Sequence, residues 1–222
     1  MRTEGGPAPR IRLWDLPTRL VHWGLVLLLP SLWWTWRSGN TLLHEKLGYV
    51  TLAVLLFRLY WGVAGSTTAR FAQFVKGPRK IAAYLRGTSP LPIGHNPLGA
   101  LAVLLLLGLM LAEVGLGLFA QDVDGEESGA LARYVSYDTA DWATNWHAWL
   151  FDLLLIAVAI HVLAILFYLV VRRDNLVGPM VTGRKELAED LPEPKMASIG
   201  SALVGGILSA AIAWWISRGF TL

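Results

Sequence analysis

Apolar residues in this chain fall into five runs, roughly 20–36, 42–64, 97–120, 146–171 and 199–217. Each is long enough, or nearly so, to cross the roughly 30 Å hydrocarbon layer of a bilayer at about 1.5 Å per helical residue. The pattern predicts an all-α membrane protein. The first run is the shortest of the early ones and contains Pro30; the fifth, SIGSALVGGILSAAIAWWISRGF, is rich in small residues.

Charge placement orients the spans. Residues 1–19 carry Arg2, Arg10, Arg12 and Arg19. The connection 65–96 carries Arg70, Lys76, Arg79, Lys80 and Arg86 without an acid, and Arg172, Arg173, Arg184 and Lys185 follow the fourth run. The connection 121–145 is acidic: Asp122, Asp124, Glu126, Glu127, Asp138 and Asp141 against Arg133 alone. If every run crosses, all three basic segments share one side, which the positive-inside rule makes cytoplasmic. The N-terminus is then cytoplasmic, and five crossings put Thr221 and Leu222 outside.

Composition narrows the chemistry. The chain is 55% hydrophobic and 16% charged, with a mean hydropathy of +0.49, where soluble domains carry about a quarter charged residues. There is no cysteine, which excludes disulfides, thiolate-ligated iron–sulfur clusters and thioether-linked haem. The charge of +3 does not point to nucleic acid, because the basic residues belong to the loops of one side. Residues 1–19 are charged and contain Gly-Gly-Pro, so no cleavable signal peptide is expected.

The candidate chemistry lies in the histidines. His147 and His161 stand in the fourth run, 14 residues apart, a spacing that returns a helix to nearly the same face about 21 Å further on. His22 begins the first run and His44 the second. Depth pairs His22 with His161 toward the cytoplasm and His44 with His147 toward the outside. Four imidazoles in two pairs suit two bis-histidine metal or haem sites. A lone interfacial histidine is usually a polar anchor, but His161, within AIHVLAIL, is an ionisable group in an apolar span and therefore a functional candidate. His95, in PIGHNPLGA, reads as a cap or interface residue.

Other polar residues follow from the same geometry. Arg58 lies 14 residues after His44, at the depth of the inner pair, where it either meets a haem propionate or snorkels to the cytoplasmic interface. Arg19, three residues before His22, is the second propionate candidate. Glu113 and Asp152 are acids within spans that suit proton relay or helix packing. Trp33, Trp34, Trp36, Trp142, Trp146 and Trp149 map to the outer interface, as an aromatic belt does.

The blocks LWDLPTRLVHW (13–23), LHEKLGYVTLAVLLFRLYWGVAG (43–65), ARFAQFVKGPRKIAAYL (69–85), GHNPLGA (94–100), WHAWLFDLLLIAVAIHV (146–162) and DNLVGPMVTGRK (174–185) resemble the bacterial cytochrome b561 / nickel-dependent hydrogenase b-type cytochrome family. The resemblance implies a four-helix transmembrane bundle holding two haem b groups, their irons ligated by His22, His44, His147 and His161. It implies electron exchange with quinone in the bacterial inner membrane. The expected function is di-haem electron transfer between the quinone pool and a redox partner (a hydrogenase, dehydrogenase or c-type cytochrome). The alternative is a stand-alone superoxide- or small-substrate:quinone oxidoreductase. On this reading residues 1–185 form the cytochrome domain and 186–222 a linker and an additional transmembrane helix. In that helix Ser201, Gly205 and Ser209 form a small-xxx-small stripe, and the linker before it is charged and proline-rich, so it is expected to pack against another subunit or a second copy at least as much as against the bundle.

Overall fold

Five side-chain caps set where the long helices begin. The computed structural model describes residues 10–88, 94–121, 128–186 and 192–221; Arg2, Asp122, Asp124, Glu126, Glu127, Leu191 and Leu222 lie outside the described residues. Helix α1 (Leu16–Arg37) starts where an Asp15 oxygen accepts the Thr18 N–H at 2.8 Å. Helix α2 (Thr41–Ala64) starts at Asn40, which accepts from Leu43 N–H at 3.1 Å. After the short α3 (Phe71–Phe74) and α4 (Pro78–Leu85), α5 (Pro97–Gly117) starts at Asn96, which accepts from Gly99 N–H at 2.7 Å. Helix α6 (Tyr137–Val170) starts at Ser136, and α8 (Ile199–Ser217) at Ser198, in the same manner. Such a cap satisfies an otherwise unpaired backbone N–H and is worth about 1 kcal/mol. Pro17 and Pro97 occupy first turns, where a missing N–H costs nothing.

Helices α2, α5, α6 and α8 are each long and apolar enough to cross a membrane. Helix α1 is 22 residues long, about 33 Å, but Arg19, Pro30, Ser31, Thr35 and Arg37 make it the least apolar of the five long helices. Helix α6 begins at Tyr137 rather than near 146, so its first turns, YDTADWATN, precede the apolar stretch. Large apolar side chains such as Leu27, Ile160, Leu163 and Ile207 are exposed all round the bundle. In water that would be a liability; in lipid it is the expected outer surface.

Helices α1 and α2 form one hairpin, α5 and α6 another, and α8 lies along α2. The basic segments converge on one end. There β1 (Arg10–Arg12) pairs antiparallel with β2 (Arg184–Glu186), which follows the short α7 (Val177–Thr182). Thr68 donates to the Leu13 carbonyl at 2.7 Å, and Trp61 donates its indole N–H to Asp15 at 2.9 Å. The opposite end carries the loop around Ala132–Tyr134 and the exposed tryptophans 33, 34, 36, 142, 146 and 149. Midway, Leu55, Leu107, Met110 and Leu154 form a buried apolar layer, backed by Leu25, Leu29, Phe71 and Val158.

Helix α8 does not stand apart. Its start is tied to the end of α2 by Ala197 N–H donating to Ser66 Oγ at 2.9 Å and Thr67 N–H donating to the Lys195 carbonyl at 3.0 Å. The far end is tied to the opposite loop, where Tyr134 donates its hydroxyl to the Gly219 carbonyl. The small-residue stripe faces α2: Tyr60 fills the space a Gly205 Cβ would occupy and bonds Ser201 Oγ at 3.1 Å, while Ser209 and Ala213 are buried. Close approach is what such residues permit; within this chain the helix that approaches is α2.

Candidate functional site

His44 stands in the first turn of α2 and His147 in the first half of α6. Their ring centroids lie 6.2 Å apart, with the planes at 89°. Two imidazoles bound end-on to one metal at about 2 Å have centroids about 6 Å apart. Each ring is oriented by the other helix of its own hairpin. His44 Nδ1 donates to the Leu32 carbonyl of α1 at 3.0 Å, with Thr35 Oγ1 at 3.4 Å. His147 Nδ1 donates to the Glu113 carbonyl of α5 at 2.9 Å, with the Glu113 carboxylate 3.3 Å away. A carbonyl can only accept, so Nδ1 carries the proton in both rings and Nε2 keeps its lone pair.

Both rings line one cavity of about 490 Å³. Leu29, Trp33, Trp36, Phe151 and Leu155 supply apolar wall, and Gly48 has no atom within 4 Å of a would-be Cβ. At Gly117 a Cβ would lie 3.1 Å from the His147 ring, so glycine there keeps the imidazole free to stand upright. Glu45, Glu113 and Asp152 also line the cavity, and Tyr49 bonds Glu45. Glu113 is buried, and its Oε2 has no hydrogen-bond partner among the described residues.

The other two candidate histidines are arranged differently. His22 on α1 and His161 on α6 lie within electrostatic reach of each other, with no ring-to-ring approach like that of the outer pair among the described residues. His22 Nδ1 is buried with no partner among the described residues, and its ring meets Trp23 edge-on at 5.0 Å. Arg58 is buried. Its Nη1 donates to the Ala69 carbonyl at 3.4 Å and its guanidinium lies 4.9 Å from the Phe71 ring centre. Gly62 makes this possible, because the Phe71 ring occupies the space of its missing Cβ.

Arg19 sits nearer the basic end. It donates to the Val181 carbonyl, its guanidinium lies against Gly183, and its Nε is buried with no partner among the described residues. His95 is not the cap of α5; Asn96 is. The His95 ring is instead packed between Trp14 and Phe74, at centroid distances of 4.6 and 4.7 Å, and Nδ1 is buried with no partner among the described residues. It lies outside the helical spans. Burial chiefly, with Arg58 and His22 adding to it, pushes its pKa down to about 3. Sequence reasoning missed the Leu32 and Glu113 carbonyls, which carry no side-chain signature.

A bundle of membrane helices with histidines presented from both hairpins is the build of a membrane cytochrome, and the sequence matches the prokaryotic cytochrome b561 family over residues 13–183. The chain belongs to that family: it is a multi-pass membrane protein of the b-type cytochrome, electron-transport class. It is 28% identical over 168 residues to the probable Ni/Fe-hydrogenase B-type cytochrome subunit of Azotobacter vinelandii, covering 68% of this chain and 70% of that protein. The like-named protein of Azotobacter chroococcum mcd 1 is 28% identical over 167 residues, again 68% and 70%. No solved structure matches. Haem b, which the family implies, fits the His44–His147 site: both Nδ1 atoms are engaged, neither Nε2 has a hydrogen-bond partner among the described residues, and the cavity has an apolar wall.

Proposed function

We propose that this protein is a di-haem b cytochrome that carries electrons between membrane quinone and a partner redox protein, a hydrogenase foremost. The carrying observation is the His44–His147 pair, 6.2 Å apart with perpendicular rings on one cavity and both Nδ1 protons committed to carbonyls. His147 and His161 share one unbroken helix, which supports a second site about 21 Å along it, ligated by His22 and His161. When bound, haem supplies reversible one-electron exchange. The chain's part is to hold the imidazoles, exclude water and place charge. Arg58 neutralises propionate charge at the inner tier, with Arg19 adding positive charge near the same level. The basic end faces the cytoplasm of a bacterial inner membrane, and α1, α2, α5, α6 and α8 all cross. The hydrogenase partner rests on the names of the two Azotobacter relatives.

Purified protein should carry two haem b per chain by pyridine haemochrome assay, with a b-type reduced-minus-oxidised spectrum, and should co-purify with its redox partner. One haem per chain overturns the second site. Quinone reduction by the isolated chain with superoxide as donor favours the stand-alone oxidoreductase.

A further inference from the structure

At the basic end a groove of about 1000 Å³ runs between β1, the start of α1, the segment after α6, α7 and the start of α8. Three carboxylates line it, and each is already engaged. Glu186 pairs with Arg10 at 2.6 Å, Asp174 with Lys185 at 2.7 Å, and Asp15 accepts from Thr18 N–H and Trp61. Arg12, Arg19, Arg173 and Arg184 line the same groove, with no carboxylate in ion-pair range among the described residues.

Two of these arginines are placed against each other by the backbone. Arg12 and Arg184 are direct cross-strand partners in the β1–β2 pair. Directly opposed side chains stand about 5 Å apart at Cβ, and like charges there repel. The arrangement is favourable when an anion lies between the two guanidiniums, for which phosphate oxygens are well matched. Below the groove the surface changes character: Leu16 and Leu20 on α1, and Ile199 and Leu203 on α8, are exposed, from 56% to 80%. Cations above and apolar side chains below, at the end of a membrane bundle, match a phosphate headgroup with acyl chains.

We propose that this groove binds an anionic phospholipid, with Arg12 and Arg184 gripping the headgroup phosphate, Arg173 adding charge, and the acyl chains lying along Leu16, Leu20, Ile199 and Leu203. Full-length protein in detergent is titrated with phosphatidylglycerol, with phosphatidylcholine and with inorganic phosphate, and bound lipid is read by native mass spectrometry. Phosphatidylglycerol should bind selectively, and Arg12→Gln with Arg184→Gln should weaken it about thirtyfold, while a control pair, Arg79→Gln with Lys80→Gln on α4, leaves it unchanged. Arg184→Lys should recover part of the loss, which separates lost charge from lost fold. Equal retention of phosphatidylglycerol by wild type and the double variant overturns the proposal. So does displacement of the lipid by inorganic phosphate at equal concentration, which would assign the groove to a soluble phosphate. Association of an acidic protein that needs both arginines but no lipid also overturns it.

Discussion

Asp15 joins the start of α1 to the end of α2. One oxygen caps Thr18 N–H at 2.8 Å while the other accepts the Trp61 indole N–H at 2.9 Å. Trp61 is only 1% exposed, so its N–H has no water to turn to. Asp15→Ala removes a cap and strands a buried donor, and should cost about 2–3 kcal/mol. Asp15→Asn keeps both acceptor positions only in part and should cost less. Thermal unfolding in detergent reads both; equal midpoints for wild type and Asp15→Ala would show the link to be idle.

The outer histidines should behave as a unit. His44→Ala and His147→Ala are each expected to halve the haem content, and the double variant should lose no more than either single one. His161→Ala should likewise remove one haem, whereas His95→Ala keeps both. Haem-to-protein ratios decide this, and two full haems in His44→Ala would end the pairing.

Arg58→Leu should lower the midpoint potential of the inner haem by tens of millivolts, because a nearby positive charge favours the reduced state and the loss of one such charge is worth on the order of 1 kcal/mol. Redox titration followed optically reads the shift. An unchanged potential would leave Arg58 as a packing residue held by Ala69 and Phe71.

Gly205→Val places a side chain in space filled by Tyr60. Overpacking of this kind typically costs about 1–3 kcal/mol, and here it should loosen α8 from α2 while the four histidines keep their places. The expected readout is faster proteolysis of the 192–222 segment with haem content intact; loss of haem would show that α8 helps to hold the cofactor core.

His95 gives the bundle an acid-sensitive point. Its folded pKa of about 3 lies below the ordinary 6.5, so the unfolded chain takes up a proton that the folded one refuses. The stability it supports is complete above pH 6.5 and falls progressively toward pH 3. Arg58 from α2 and His22 from α1 are the charged or titratable groups that bear on it. The difference in unfolding midpoint between wild type and His95→Gln should therefore change between pH 7 and pH 5. A constant difference would mean that His95 does not titrate in this window.

The bundle was legible in the sequence wherever a run of apolar residues ended at a cap. Helices α2 and α8 begin and end within a residue of the runs that announced them. The early start of α6 was hidden because Asp138, Asp141 and Asn145 look like loop, although Ser136 and Asp138 are good residues for a helix start. The facing of His44 and His147 followed from depth and phase alone. The pairing of β1 with β2, between strands 172 or more residues apart in the chain, has no local signal. Helix α8 carried its small-residue stripe openly, but a stripe does not name its partner, and Tyr60 is an ordinary span residue until α8 lies on it. Arg19 had the right helical phase for the inner tier, yet the Val181 carbonyl, supplied by a distant short helix, holds its guanidinium.

Leu154 stands seven residues from His147 and seven from His161, and with Leu55, Leu107 and Met110 it fills the middle of the bundle. That layer offers no hydroxyl, carboxyl or amide along which a hydronium could hop. An electron tunnels through a few packed hydrocarbon side chains; an ion does not pass them. The septum therefore separates the two ends of the bundle as an insulating layer. With a haem on either side of it, as proposed, electrons would cross this layer while protons find no path through it, and a single polar substitution at Leu55 or Leu154 is where a leak would begin.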